Sequence, residues 1–342
     1  MTEEISEIDR IQTGCKAIDT LMQGGLATGT ITQIFGEKAL GKSILSLQAA
    51  CSAVAEGHSA IILDTEQSYF SYLIKYRREG LNKRFGKNIP IRELKLERVP
   101  RSSKKNKGPL SRSQLVTALS SMLNSQGVAY NENHLSAIAD MLSPEYQVKL
   151  EGTDPSVMVI QMPEITDLLA LHGIDADKAV SEGGRVELRM RSTPVYQSAL
   201  YQIVQQTKAK LLVYDSISAP FKSAFPNTQD LPARSAGLAM LLAHSQRLCV
   251  QFGIAVVVTS HASIDPMHAW DRRPYGGVTL GHEAKFSFEL TKATSKRNED
   301  AVAVNPEERQ EDGGRAFWVQ RHPAMADYSQ FGYANIDDEG FH

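Results

Sequence analysis

Short apolar runs of strand length alternate along the chain with longer stretches whose apolar residues recur every three or four positions. Thr30-Ile31-Thr32-Gln33-Ile34-Phe35 alternates β-branched or aromatic residues with polar ones, which predicts a strand; Ile44, Leu45, Leu47, Ala50 and Val54 behind it have helical spacing. Ala60 to Asp64, Lys210 to Asp215 and Ile254 to Thr259 are continuous apolar runs, the pattern of strands buried on both faces of a parallel sheet. Leu238, Leu241, Leu242, Leu248 and Phe252 predict a helix over 233–252, and Pro194 to Gln206 predicts another. Phe286 to Leu290, Arg315 to Val319 and Phe331 to Ile336 read as strands that finish the sheet in an antiparallel manner. Strands and helices in this alternation predict an α/β fold around a mainly parallel central sheet.

Composition changes this picture little. With 342 residues, 42% hydrophobic and 22% charged, the chain can bury a large core without staples. A formal net charge of -2 means that any nucleic-acid contact must come from local basic patches. Cys15, Cys51 and Cys249 lie far apart without C-x-x-C spacing, so neither a zinc site nor a disulfide framework is indicated, and a reducing cytosol fits. The acidic start lacks the pattern of a secretory signal and no apolar run reaches spanning length, which predicts a cytoplasmic protein with no membrane role.

The chemistry concentrates where predicted strands end. Gly36-Glu37-Lys38-Ala39-Leu40-Gly41-Lys42-Ser43 fits G-x-x-x-x-G-K-[ST] and stands between the first strand and a helix, the context a phosphate-binding loop requires. Glycines let the backbone N-H groups turn towards phosphate oxygens, and the helix dipole adds to their field. Lys42 is expected on the β- and γ-phosphates of ATP, and Ser43 on a magnesium ion. The strand Ala60 to Asp64 runs into Thr65-Glu66-Gln67, so its carboxylates fall at the carboxyl edge of the sheet beside the loop. Glu66 is the candidate base for the attacking water, although an acid here also suits a helix N-terminus; Asp64 reads as structural. Lys210-Leu211-Leu212-Val213-Tyr214-Asp215 is a Walker B arrangement, with Asp215 expected to hold magnesium through water.

Thr13-Gly14 to Gly24-Gly25-Leu26, read with the phosphate loop, resembles the opening of the ATPase core in the RecA/RadA recombinase superfamily, and the chain as a whole resembles archaeal RadA paralogues of the RadB type. The resemblance implies a RecA-like fold, binding of ATP with magnesium, slow hydrolysis, and a role in homologous recombination or DNA repair. Under it, Ser216 to Ser223 and Arg234 look like the segment leading into a first DNA-binding loop, and Ala262 to Tyr275, closed by Gly276-Gly277-Val278-Thr279-Leu280-Gly281-His282, looks like a second. Lys222, Arg234, Trp270, Arg272 and Arg273 are the DNA-binding candidates, single strands being the expected substrate. A solvated loop is an equal reading of two arginines beside a tryptophan. Arg321-His322-Pro323 is similar to the family's segment that caps a neighbouring subunit's nucleotide, which makes Pro323 a nucleotide contact. Expected partners are DNA and either a RadA-type recombinase or a second copy of the chain.

The chain also departs from that family. Ala39 and Leu40 replace glycines usual in the recombinase loop, and Ser260-His261 stands where an Asn-Gln pair links the γ-phosphate to the DNA loops, so His261 is expected at the nucleotide. Between Glu66 and Asp215 the chain is longer than the core requires. An insertion is expected over 82–163, with the core in 1–81 and 164–342. It carries Arg98, Arg101, Lys104, Lys105 and Lys107, then two helices, 111–124 and 133–142, with the outline of a helix-turn-helix around Gly127. Ser295 to Gly314 reads as a mobile loop. The core starts near residue 13, leaving no room for an amino-terminal DNA-binding domain, and there is no Phe-x-x-Ala tail; both features favour an accessory protein. The alternative is a KaiC-like regulatory switch that acts on protein partners without DNA.

Overall fold

The computed structural model describes residues 9–98, 112–131, 133, 135, 146, 147, 152, 154–180, 186–264, 272–293 and 314–342. Helix α1 (Lys16–Leu21) precedes β1 (Ile31–Gly36), and the chain turns through the glycine-bearing loop into α2 (Lys42–Ala55). β2 (Ser59–Asp64), α3 (Ile74–Phe85) and β3 (Ile91–Glu93) follow. Helix α4 (Arg112–Ser125) comes before β4 (Val157–Gln161), and α5 (Ile165–Leu171) leads into β5 (Ile174–Val180) and β6 (Val186–Ser192). Next come α6 (Ala199–Thr207), β7 (Ala209–Asp215), α7 (Ser218–Ala224), α8 (Leu231–Phe252), β8 (Ala255–Ile264), β9 (Arg272–Pro274) and α9 (Gly277–Glu283). The chain closes with β10 (Phe286–Lys292), β11 (Arg315–Arg321), β12 (Phe331–Ala334) and a small hairpin of β13 (Ile336–Asp337) and β14 (Gly340–Phe341).

Ten strands form one sheet in the order β12-β11-β10-β1-β8-β7-β2-β4-β3, with β9 paired to the end of β8. Every pairing from β10 across to β3 is parallel. Side chains alternate between the two faces, so consecutive apolar residues serve different layers. Ile62, Val213 and Val257 join Leu45, Leu47 and Leu81 under α2 and α3. Ile61, Leu63, Leu212 and Val258 join Leu168, Leu200, Ile203 and Leu241 under α5, α6 and α8. Burying each such side chain contributes about 1.5–3 kcal/mol, which is why the uninterrupted apolar runs occupy the sheet centre. Tyr214 reaches into the second layer, where its hydroxyl meets His172 Nε2 at 2.9 Å and Ser245 Oγ at 2.7 Å and so is satisfied away from water.

Several expectations shift. Strand β10 is parallel to β1, and the antiparallel finish begins with β11. Strands β5 and β6 form their own antiparallel pair outside the central sheet. Strand β8 runs on to Ile264 and returns through β9, so both ends of the expected 262–275 loop are a hairpin. The 82–163 bracket contains the end of α3 as well as β3 and β4, both members of the central sheet, because short apolar stretches beside a long polar insertion were absorbed into it. Helix α4 matches the first expected insertion helix. The second lies outside the described residues apart from Asn133 and Leu135, as do Arg101, Lys104, Lys105 and Lys107, Trp270, and 295–313 of the expected mobile loop. Among the described residues no helix is long and apolar enough to cross a membrane.

Candidate functional site

Parallel register brings the chemistry to one edge. Asp215 at the end of β7 lies opposite Asp64 at the end of β2, and His261 on β8 lies opposite Gly36 at the end of β1. Gly36 must be glycine, since a Cβ there would stand 2.3 Å from the Leu290 carbonyl oxygen. Gly41 takes a left-handed φ of 105° as α2 begins, and no side chain caps that helix start. Uncapped amides at the head of a fourteen-residue helix suit an anion. Ala39 also has a positive φ, 64°, in a region that side chains disfavour. The Lys42 ammonium is buried and donates to the carbonyls of Gly36 (3.0 Å) and Glu37 (2.7 Å). Burial lowers its pKa, opposed by the charges of Asp215, Glu66 and Glu37. Ser43 is half-buried on the next residue of the helix.

The turn after β2 is built by Asp64. Its carboxylate accepts from the amides of Glu66 and Ser68 (both 3.2 Å) and Tyr69 (3.0 Å), the structural role expected for it, while burial raises its pKa. Tyr69, fully buried, then donates to Asp215 Oδ2 at 2.8 Å, and Thr259 donates to Oδ1 at 2.5 Å. Both oxygens of Asp215 are thereby aimed, each keeping a lone pair for a further donor such as a metal-bound water. Tyr69 and Thr259 escaped the sequence reading as partners of Asp215; an aromatic five positions after a strand-end aspartate was the one signal, and it served Tyr69 alone. Glu66 Oε1 accepts from Ser216 Oγ at 2.8 Å and from His261 Nε2 at 3.3 Å. Hydrogen bonding by His261, then by Ser216, outweighs burial and holds the Glu66 carboxyl down at about 2. Arg315, at the start of β11, donates from Nε to the Leu40 carbonyl at 3.1 Å and braces the loop from behind; it too was missed.

A second cluster lies beside α8. The Arg234 guanidinium stands 4.6 Å from the ring centre of Tyr275 and donates to its hydroxyl, and Lys222 Nζ is 5.9 Å from the same ring. The two expected basic residues thus meet over a tyrosine at the end of the expected 262–275 loop that was not itself a candidate. Arg272 and Arg273 lie on β9, where Arg273 is exposed opposite Ser263. Pro323 is exposed beyond the end of β11, whose last residue, Arg321, pairs with Ser287 near the start of β10. The phosphate loop is at the other end of β10, where Leu290 pairs with Gly36. The structure therefore does not bring Pro323 to its own chain's loop.

ATP and magnesium can be tested against these residues. The uncapped helix start, a buried ammonium turned to the loop and two oxygen-bearing side chains, Ser43 and Asp215, form a donor set for phosphates and a hard cation. Among the described residues no cluster of three or more His, Cys, Asp or Glu could hold a metal unaided.

The family model for Rad51 matches residues 4–80 and 187–311, more than half of the chain. The chain belongs to the Rad51 family. The match leaves out 81–186, the stretch holding β3, α4, β4, α5 and β5. Among named relatives, the DNA repair and recombination protein RadB of Methanoculleus marisnigri is 50% identical over 58 residues, 17% of this chain and 26% of that one. The DNA repair protein rhp51 of Schizosaccharomyces pombe is 24% identical over 303 residues, 85% of this chain and 58% of that one. For the DNA repair protein RAD51 of Saccharomyces cerevisiae the figures are 24% over 290 residues, 82% and 50%. The chain thus spans about a quarter to three-fifths of the length of these relatives. Membership of this family does not favour the KaiC-like alternative.

Proposed function

We propose that this Rad51-family chain binds ATP with magnesium, hydrolyses it slowly, and acts on DNA in homologous recombination or repair as an accessory factor in the cytoplasm. The observation that carries the reading is the meeting of Lys42, Glu66 and Asp215 at one sheet edge, each fixed by a neighbour's hydrogen bond. Lys42, Ser43 and the loop amides of 36–43 bind and orient the phosphates. The ion, when bound, offsets charge on the phosphate oxygens. Ser43 and Asp215, the latter aimed by Tyr69 and Thr259, would hold the ion, Asp215 through water. Glu66 accepts a proton from the attacking water.

DNA is assigned to the Lys222, Arg234 and Tyr275 cluster with Arg272 and Arg273, where a ring offers a base a stacking face and the cations neutralise phosphates. Trp270 belongs to the same proposal by its place in sequence. A RadA-type recombinase or a second copy of the chain is the proposed protein partner, with Pro323 facing the partner's nucleotide. The core comprises the 1–81 and 164–342 parts together with β3 and β4, and the inserted segment lies between those two strands.

The test is ATP hydrolysis with and without single-stranded DNA, alongside DNA binding over a salt series. Slow turnover that DNA stimulates, with binding that weakens as salt rises, is the expected result. Tight ATP binding with no response to DNA would overturn the DNA half of the proposal.

A further inference from the structure

We propose that His261 is a positioning residue that restrains the candidate base: it holds the Oε1 edge of Glu66 against Ser216 and slows proton transfer to that carboxylate. This rests on the ATPase reading above and deepens it. Two donors converge on a single oxygen, Ser216 Oγ at 2.8 Å and His261 Nε2 at 3.3 Å. An ionised carboxylate only accepts, so the imidazole is the donor, through Nε2. The backbone of His261 is fixed on both sides: its Cα lies opposite Gly36 in the β8–β1 pairing, and its carbonyl accepts from the Tyr275 amide at 2.8 Å. The side chain is the movable part. His261 and Glu66 are 33% and 37% exposed, so their bond can open without unpacking any of the core.

A carboxylate with two donors on one oxygen is a weaker base than a free one, and general-base efficiency follows basicity. Glu66 accordingly titrates at about 2, with the His261 hydrogen bond as the leading cause. The charged and titratable groups on the elements around His261 are Glu66 after β2, Asp215 at the end of β7, Glu37 and Lys42 of the phosphate loop, and Arg273 and Tyr275 on and after β9. Among them, Glu66 receives a side-chain hydrogen bond from His261. A histidine that merely gripped phosphate would have the opposite effect on turnover when removed.

The experiment uses the full chain and its H261A and H261Q variants. Steady-state turnover is measured at saturating ATP and magnesium. Nucleotide binding is measured separately, and the Glu66 carboxyl is titrated by 13C NMR without nucleotide. H261A is expected to raise kcat on the order of threefold to tenfold and to leave KM little changed. H261Q, which keeps a neutral donor, should fall between the two. The Glu66 midpoint should climb from about 2 towards the ordinary carboxylate range in H261A. Slower turnover in H261A, or an unmoved Glu66 midpoint, would overturn the proposal. Failure of the unaltered chain to bind ATP would instead sink the ATPase reading, and the carboxyl titration would still decide whether His261 restrains Glu66.

Discussion

At the carboxyl edge of the sheet each reactive side chain is held by a group from another element: Asp215 by Tyr69 and Thr259, Glu66 by Ser216 and His261, Lys42 by two loop carbonyls. Beside α8, Lys222, Arg234 and Tyr275 come from three separate segments and meet through their own side chains alone. The first arrangement is preorganised, as chemistry on a transferring phosphoryl group requires. The second can adapt, as a surface that meets a flexible polymer must. Damage to one group should therefore be severe at the edge and graded at the cluster.

Lys42→Ala should break the edge most completely. Lys42 is the buried ammonium turned to the loop, so ATP affinity or turnover should drop by about a hundredfold to a thousandfold. Calorimetry with a slowly hydrolysed ATP analogue reads the affinity, and an unaffected variant would remove the site assignment. Glu66→Gln separates binding from chemistry: kcat should fall about a hundredfold to ten-thousandfold with ATP affinity kept. The same variant has a stability signature. The folded-state pKa of Glu66 is depressed, so its contribution is complete above the unfolded value near 4.3 and is lost as pH falls from there towards 2. Thermal unfolding between about pH 5 and 2 should show a shallower acid loss in Glu66→Gln than in the unaltered chain. Parallel curves would mean that the carboxylate is not held as described.

That contrast also explains what could be read before the fold was known. Strand ends in a parallel sheet share one edge, so an apolar run followed by Asp64 or Asp215 already placed a carboxylate beside the phosphate loop. Residues that aim those groups were harder to see. Tyr69 reaches Asp215 across 146 positions, and Arg315 reaches Leu40 across 275; no local spacing encodes such pairs. Tyr275 closes the expected 262–275 loop, but only the pairing of β9 with β8, which turns the ends of that loop into a hairpin, reveals that its ring meets Arg234. The insertion limits erred for a related reason. β3 is three residues long and carries Arg92 and Glu93, so only its place beside β4 marks it as sheet.

The graded region is tested by Tyr275→Ala. Loss of one stacking face should weaken single-stranded DNA binding by about 1–3 kcal/mol, roughly tenfold to a hundredfold, with ATP affinity unchanged. Arg234→Ala should lower the slope of log affinity against log salt by about one contact. A salt slope that stays put in Arg234→Ala would take that guanidinium out of the nucleic-acid surface, even if the affinity itself fell.

The smallest effect sharpens the comparison from inside the rigid region. Ala39 has a φ of 64° and an exposed side chain, so its methyl group strains the loop without filling a gap. A left-handed conformation costs a non-glycine residue about 1–2 kcal/mol. Glycine removes that cost but adds about 0.4–1 kcal/mol of backbone entropy to the unfolded chain. The strain term is the larger, so Ala39→Gly should stabilise the protein by about 0.5–1 kcal/mol and raise Tm by about 1–2 °C. DNA affinity should not change, since the Tyr275 ring meets Lys222 and Arg234, both outside the loop. Differential scanning calorimetry decides the sign, and a lower Tm would mean that entropy outweighs strain and that the loop relaxes around Ala39. A preorganised edge must carry strain of this kind somewhere, and position 39, where the side chain makes no packing contribution, is where a glycine can relieve it without loosening Lys42 or Glu66.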